Sequence, residues 1–329
     1  MVNRIIAGTA VLMAALLAAC GTSAHAPAGS PTGAGPVTAY VVSGDGAVTP
    51  INTATKKVGP PIPVGGEPKA AAITPDGKTV YVADSNGNTV TPISTATNKA
   101  GPAITVGNSP YAIAITPDGK TAYVTNNGGA SGNTVTPIST ATNTAGPAIT
   151  VGTGPWGIAI TPDGKTVYVV NNVSATVTPI STATNTAAPA ITVGSEPQSI
   201  AITPDGKTAY VANSNADTVT PISTTTNTAS PAITVGNIPY AIAITPDGKT
   251  AYVPSGADTV TPISTTTNKA DPAIAVARDP VAIAITPDGK TIYVVNTNAD
   301  TVTPISAAAN KADRAIPVGN DPQDIVITP

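Results

Sequence analysis

Residues 111–125 read YAIAIT-PDGK-TAYVT. Apolar and small side chains alternate in YAIAIT with period 2, as a strand with two distinct faces requires. Pro117-Asp118-Gly119 then marks a hairpin: Pro presets φ, Asp tolerates the bend, and Gly takes positive φ. Two more Val/Ile/Thr runs follow before the pattern restarts. The local unit is therefore four short strands, expected at Tyr111–Thr116, Thr121–Thr125, Thr134–Ser139 and Ala148–Val151.

That unit is copied along the chain. TPDGKT begins at Thr74, Thr116, Thr161, Thr203, Thr245 and Thr286, at steps of 42, 45, 42, 42 and 41 residues. VTPI begins seven times, first at Val48 and last at Val302. Residues 37–329 thus hold seven copies of about 42 residues, the period of a four-stranded propeller blade. No segment carries the 3.6-residue apolar stripe of a helical solenoid. The first copy starts at its second strand, TAYVV (Thr38–Val42), and the last stops after its first strand, DIVITP (Asp324–Pro329). Together they complete one blade. The expectation is an all-β, seven-bladed β-propeller closed where the C-terminal inner strand pairs with the three N-terminal strands; an open solenoid would need capping repeats instead.

The composition fits a folded ring rather than a disordered chain. Hydrophobic residues make up 41%, although charged residues reach only 10% against a usual ~25%. Of the 34 Pro, most recur at fixed places in the repeat: after I-T, in V-T-P-I, and in the loop before each inner strand. A net charge of -3 with no Lys/Arg run excludes a basic nucleic-acid binder. A single Cys excludes a disulfide scaffold and a Cys-based zinc site.

Residues 1–19 open with MVNR and an apolar run from Ile5 to Ala19, the length of a secretory signal but short of the ~20 residues of a bilayer span. Leu17-Ala18-Ala19-Cys20-Gly21 resembles the lipobox of bacterial lipoproteins, which implies cleavage before Cys20 and acylation of its thiol. The chain is then expected to be extracytoplasmic and held to a membrane through Cys20. Residues 20–36 are small, polar and Pro/Gly-rich, a flexible tether that contains the protein's one His, His25.

Tyr123-Val124-Thr125-Asn126 resembles the signature of the YVTN family of β-propeller repeats, echoed as YVADS at 81, YVVNN at 168, YVANS at 210 and YVVNT at 293. The family is similar to prokaryotic surface-layer and cell-surface proteins, generally regarded as interaction modules. Two features depart from it. Each third strand carries Pro in V-T-P-I, which should remove a ladder donor and leave a bulge or shortened pairing at Pro92 and its equivalents. Position 254 carries Pro where Asn is usual. Neither falls at an obvious site.

Positions that differ between near-identical blades are not explained by the fold. In the loop V-G-x-x-P-x, the residue after Pro reads Lys69, Tyr111, Trp156, Gln198, Tyr240, Val281 and Gln323. The residue before it reads Glu67, Ser109, Gly154, Glu196, Ile238, Asp279 and Asp321. These loops should ring one mouth of the central channel. The sole Trp stands there with Tyr111 and Tyr240, and flat aromatic faces beside Gln and carboxylates suit a sugar ring or an extended peptide. Gap-filling between blades is the plainer alternative. Glu67, Glu196, Asp279 and Asp321 offer oxygens of the kind Ca²⁺ takes, but they come from separated blades without a calcium-binding loop. Asp217, Asp258 and Asp300 read as hairpin-turn residues. Asp324 replaces small residues such as Ala70 and Ala112, and is expected at the seam.

The propeller segment has no His or Cys, so the commonest general base is missing. No nucleophile elbow or phosphate loop is present. The expectation is a binding module, not an enzyme, with no cofactor and no metal. Two alternatives stand beside it: a surface coat without a specific ligand, and a lactonase-like hydrolase using mouth carboxylates.

Overall fold

The computed structural model describes residues 38–43, 46–52, 59–286, 288–317 and 325. The expected signal segment, Cys20, the tether, Asp321, Gln323 and Asp324 lie outside the described residues, as does the expected pairing of the two chain ends. Among the described residues no helix is long and apolar enough to cross a membrane.

Seven antiparallel sheets follow one another along the chain and are numbered here as blades 1 to 7. Blade 1 comprises Thr38–Ser43, Ala47–Asn52 and Ile62–Pro63. Blade 3 shows the full pattern. Its innermost strand is Pro110–Ile115, its second Thr121–Asn126 and its third Thr134–Ser139. Its outer edge is two short pieces, Thr144–Ala145 and Ile149–Thr150. Blades 2, 4, 5, 6 and 7 repeat this over 68–105, 155–192, 197–234, 243–275 and 280–317. The innermost strands of successive blades pack against one another, which sets the sheets around an axis as a seven-bladed β-propeller.

The divided outer strand differs from the single strand expected at Ala148–Val151, and Pro137 supplies the reason. Pro137 pairs with Tyr123 in an unbroken ladder between the second and third strands. Its carbonyl faces the other way and accepts the Gly146 N–H at 2.8 Å. Amide and carbonyl of one strand residue point to the same side, so the donor that Pro lacks is lost only from the outer pairing. Residues 146–148 bulge there, between the two paired pieces. The same carbonyl bond recurs at all seven V-T-P-I prolines.

Each Pro-Asp-Gly turn closes as its sequence demands. Gly119 has φ 71° and donates its N–H to the Thr116 carbonyl at 2.8 Å. The Thr116 hydroxyl donates to Asp118 at 2.6 Å, and the Lys120 N–H donates to the same carboxylate oxygen at 3.0 Å.

Blades lock to each other through a tyrosine. The second-strand Tyr123 is buried, and its hydroxyl donates to Asn185 Oδ1 of the next blade at 2.6 Å. Asn185 sits in the left-handed region at φ 54°, where Asn is among the few tolerated side chains, so one residue serves both turn and lock. The bond repeats from Tyr40 to Asn98, Tyr81 to Asn143, and onward to Tyr252 and Asn310.

Candidate functional site

The loops that carry the variable residues are held by side chains that recur in most blades. Asn126, wholly buried, donates from Nδ2 to Thr134 and Thr136 hydroxyls at 3.1 and 2.9 Å. A Cβ at Gly107 would lie 2.5 Å from Asn126 Cγ, so the mouth loop closes over Asn126 only because residue 107 is Gly. The hairpins between second and third strands share this face. Asn88 Oδ1 accepts the Ser109 N–H at 2.8 Å, Asp217 accepts that of Ile238 at 2.8 Å, and Asp258 that of Asp279 at 2.9 Å. Asp217, Asp258 and Asp300 occupy left-handed positions at φ 54°, 57° and 51°, as turn residues do. The Pro-Asp-Gly turns lie on the opposite face, with Thr95 Oγ1 bonded to the Gly77 carbonyl at 2.7 Å.

In blades 2 to 5 and 7 the variable position after the mouth Pro has a structural identity that its sequence did not reveal: it is a β-bulge. In blade 2, Pro68 pairs with Asp84 and Ala70 with Ala83, which leaves Lys69 without an opposite residue. Gln198 and Val281 are left over in the same way. In blades 3 and 4 the register slips across Tyr111 and Trp156. A bulge bends its strand and re-aims a side chain.

The re-aimed side chains are placed unequally. Tyr111 is buried, at 6% exposure, and Trp156 is half-buried against it with ring centroids 4.3 Å apart at 46°. Thr125 fastens the pair, accepting the Ala112 N–H at 2.9 Å and donating to the Trp156 carbonyl at 3.1 Å. Half-buried Gln198 donates to Ser214 Oγ at 2.9 Å. The indole Nε1 of Trp156 and Oε1 of Gln198 are enclosed and have no hydrogen-bond partner. Tyr111 and Ala241 belong to one apolar cluster, against which Trp156 and Tyr240 pack. Lys69 is buried and donates to Glu67 Oε1 at 2.5 Å; this bond holds Glu67 below the usual carboxylate range against its partial desolvation. Val281 is buried, Tyr240 half-buried and Glu196 exposed.

The structure does not bring the described carboxylates of the loop together. Glu67 is engaged by Lys69, Asp279 by Asn298 Nδ2 at 3.1 Å, and Glu196 stands apart in blade 5. Among the described residues no three His, Cys, Asp or Glu side chains form a group able to hold a metal. Asp321 and Gln323 lie outside the described residues.

Blade 6 departs from the others, and here the register corrects the alignment expected from sequence. Pro254 lies opposite Val260 as Thr125 lies opposite Val135, and Ser255 opposite Thr259 as Asn126 opposite Thr134. Pro254 therefore replaces Thr125, and Ser255 replaces the buried Asn. The innermost strand, six residues long in blades 2–5 and 7, shrinks to Ala243–Ile244 with one isolated bridge between Pro239 and Ser255. The next residue is Gly256. Its equivalents Ser85, Asn127 and Asn172 bond mouth-loop carbonyls at Glu67, Pro155 and Pro197. In their place blade 6 has a cleft of about 530 Å³ lined by Gly256, Asp258, Arg278, Asp279 and Asn298. The change at 254 thus borders the mouth after all. Comparing the YVTN columns blade by blade would have exposed Thr125, the one Thr of its column, and Gly256, matched there only by Gly44 of the first copy.

Comparison with known proteins agrees with the ring. Residues 165–257 match the model of the YNCE-like beta-propeller, and residues 79–190 that of the lactonase, 7-bladed beta-propeller. Among curated proteins none matches. The chain is similar in structure to Kuenenia stuttgartiensis hydrazine synthase, with 24% identity and TM-score 0.71 over 82% of this chain and 92% of that one. It is likewise similar to a functionally unknown protein from Desulfotomaculum acetoxidans, with 20% identity and TM-score 0.71 over 85% and 95%. Likeness at these identities establishes the fold alone: the chain is a β-propeller.

Proposed function

We propose that this propeller is a non-enzymatic binding module, tethered by lipid on Cys20 to the extracytoplasmic side of a bacterial membrane, that takes a glycan or extended peptide on its mouth face. The propeller fold supports a binding module in general terms. The observation that carries the specific reading is the Tyr111–Trp156 pair. The two rings touch at 4.3 Å, and the indole N–H beside them is enclosed without an acceptor. An enclosed donor without a partner costs about 1–3 kcal/mol. Tyr111 is buried, so the half-buried indole of Trp156 is the ring that would cover a ligand's apolar face, and a ligand hydroxyl or carbonyl would remove that cost by opening the enclosure around Nε1.

Trp156 is the only Trp, so its fluorescence reports on this place alone. Cell-wall glycans or extended peptides are expected to shift its emission, and iodide to quench it partly. Emission typical of a fully buried indole, unquenched by iodide and unmoved by either ligand class, would remove the platform. Replacing Cys20 with Ser should release the chain from the membrane fraction.

The lactonase-type segment favours one second reading, hydrolysis at the mouth. Two of its described carboxylates are engaged, Glu67 by Lys69 and Asp279 by Asn298, and the third, Glu196, stands exposed away from both. A lactone and ester screen with and without Ca²⁺ is expected to give no turnover above buffer. Turnover lost on Glu67→Gln would establish the hydrolase instead.

A further inference from the structure

Trp156 and Gln198 take the same place in adjacent blades, each being the residue after the mouth Pro, and each ends in an enclosed polar atom that bonds nothing. The two atoms are of opposite kind. The indole Nε1 is a donor only. Which end of the Gln198 amide is free follows from Ser214, which is 2% exposed. Its hydroxyl spends its hydrogen on the Glu196 carbonyl at 2.9 Å, so towards Gln198 it accepts. Gln198 Nε2 must therefore face Ser214, at 2.9 Å, and the atom left unpaired is the acceptor Oε1. Blades 4 and 5 thus bring an unpaired donor and an unpaired acceptor to one junction of the ring.

The inner strands at that junction break the repeat in a second way. The residue after Trp156 is Gly157, where blades 2, 3, 5, 6 and 7 carry Ala70, Ala112, Ser199, Ala241 and Ala282. A Cβ at Gly157 would stand 2.6 Å from the Gln198 carbonyl oxygen, so the glycine lets the two strands approach. Gly157 alone in this column, among the described residues, is not buried. Trp156, Ala159 and Ile160 are partly exposed with it, whereas the inner strand of blade 3 is buried along its whole length. The inner wall of the ring is least covered in the strand that carries the unpaired indole.

We infer that this junction is a subsite for the acetamido group of an N-acetylated hexosamine. A secondary amide is planar and trans, so its carbonyl and N–H point in opposite directions and are satisfied together between a donor and an acceptor. The carbonyl takes the Trp156 indole N–H, the amide N–H donates to Gln198 Oε1, and the methyl lies against the half-buried indole. Both enclosed atoms then lose the cost of standing unpaired. A peptide bond carries the same two groups, but its chain continues on both sides. Enclosed atoms are reached by an arm that ends, as an acetamido group ends in its methyl. The inference rests on the mouth face being the ligand face, and within that reading it selects the glycan.

The test is saturation-transfer NMR on the full chain, with the methyl β-glycoside of N-acetylglucosamine, methyl β-glucopyranoside and tetra-alanine as probes. The N-acetyl sugar is expected to bind with its strongest transfer at the acetyl methyl, and the glucoside to bind about tenfold more weakly. This preference is read on the wild-type chain and needs no variant. Gln198→Met keeps the length of the side chain and removes the acceptor, so it should bring the N-acetyl sugar down to the level of the glucoside. Trp156→Phe keeps an aromatic face without the N–H and should do the same. Equal binding of the two sugars, or a preference kept by Gln198→Met, would overturn the subsite. Binding of neither sugar would assign the two atoms to an enclosed water and overturn it as well. If the glucoside or tetra-alanine shifts Trp156 emission while the acetamido preference is missing, the mouth reading survives and this subsite fails; if no probe moves the emission, both fail.

Discussion

The Thr125 hydroxyl donates to the Trp156 carbonyl at 3.1 Å, across the junction between blades 3 and 4. The same oxygen accepts the Ala112 N–H beside Tyr111, so one buried side chain pins the bulge of one blade to the inner strand of the next. Thr125→Val keeps the shape and removes both bonds, leaving a buried amide and carbonyl unpaired. The expected loss is about 1–3 kcal/mol. Iodide quenching of Trp156 should rise as the two rings separate. A denaturation midpoint and quenching constant equal to wild type would show that ring packing alone sets the pair.

The Tyr–Asn bonds are the polar part of each blade junction. Tyr123→Phe leaves the packing of the ring intact and removes the bond to Asn185. A loss of about 0.5–1.5 kcal/mol is expected, read as a lower urea midpoint with an unchanged slope. An unchanged midpoint would mean that water replaces the bond at no cost.

These tyrosines also predict how the ring fails in alkali. Burial, and secondarily the charges of Asp163 and Asp205, push the phenols of Tyr168 and Tyr210 up to about 12. A folded pKa above the unfolded 10.0 means that the stabilisation is complete below pH 10 and is lost as pH rises towards 12. Thermal melts should therefore fall steeply between pH 10 and 12, and Phe at both positions should flatten the fall. A flat profile in wild type would contradict the assignment.

The acid limb comes from the other face. The carboxyls of Asp118, Asp163 and Asp205 are held below their ordinary range, first by the hydroxyl of the preceding Thr and also by the following Lys amide. Depressed pKa values contribute stability above about pH 4 and lose it as pH falls below. The groups are largely solvated, so each contributes roughly a few tenths of a kcal/mol. Asn at all three positions should make the decline of melting temperature from pH 5 to 2 shallower. An unchanged decline would place the acid sensitivity elsewhere.

The blade count and the hairpins were legible because period, turn chemistry and alternation agree at every copy. Thr116, Asp118 and Gly119 each do in the structure what their positions demand. The bulge at Lys69, Tyr111 and Gln198 was not legible, since a one-residue slip depends on the register of two strands and leaves no local composition mark. Pro254 by contrast was legible in the Thr125 column, because it follows Tyr252-Val253 as Thr125 follows Tyr123-Val124, and its pairing with Val260 agrees with that alignment rather than with the Asn column. The division of the outer strand was half legible. Proline announces a missing donor, but only the direction of the Pro137 carbonyl tells which neighbour loses it.

Ser255 offers a prediction that gains stability. In blades 3, 4, 5 and 7 an Asn at this column donates to the third-strand Thr, at 2.9 Å in each. In blade 6, Ser255 is too short: its hydroxyl pairs with Thr259 at 2.9 Å, and Thr261 Oγ1, on a residue only 4% exposed, has no partner. Room for a longer side chain is built in, since Gly236 stands over Ser255 as Gly107 stands over Asn126. Ser255→Asn should therefore restore the bond and raise stability by about 0.5–1.5 kcal/mol. Thr261→Val in the native chain should cost little, because no bond is lost, yet the same change in the Ser255→Asn background should remove the gain. A double-mutant cycle without coupling between 255 and 261 would refute the account, because residues that share a buried hydrogen bond couple and independent ones do not.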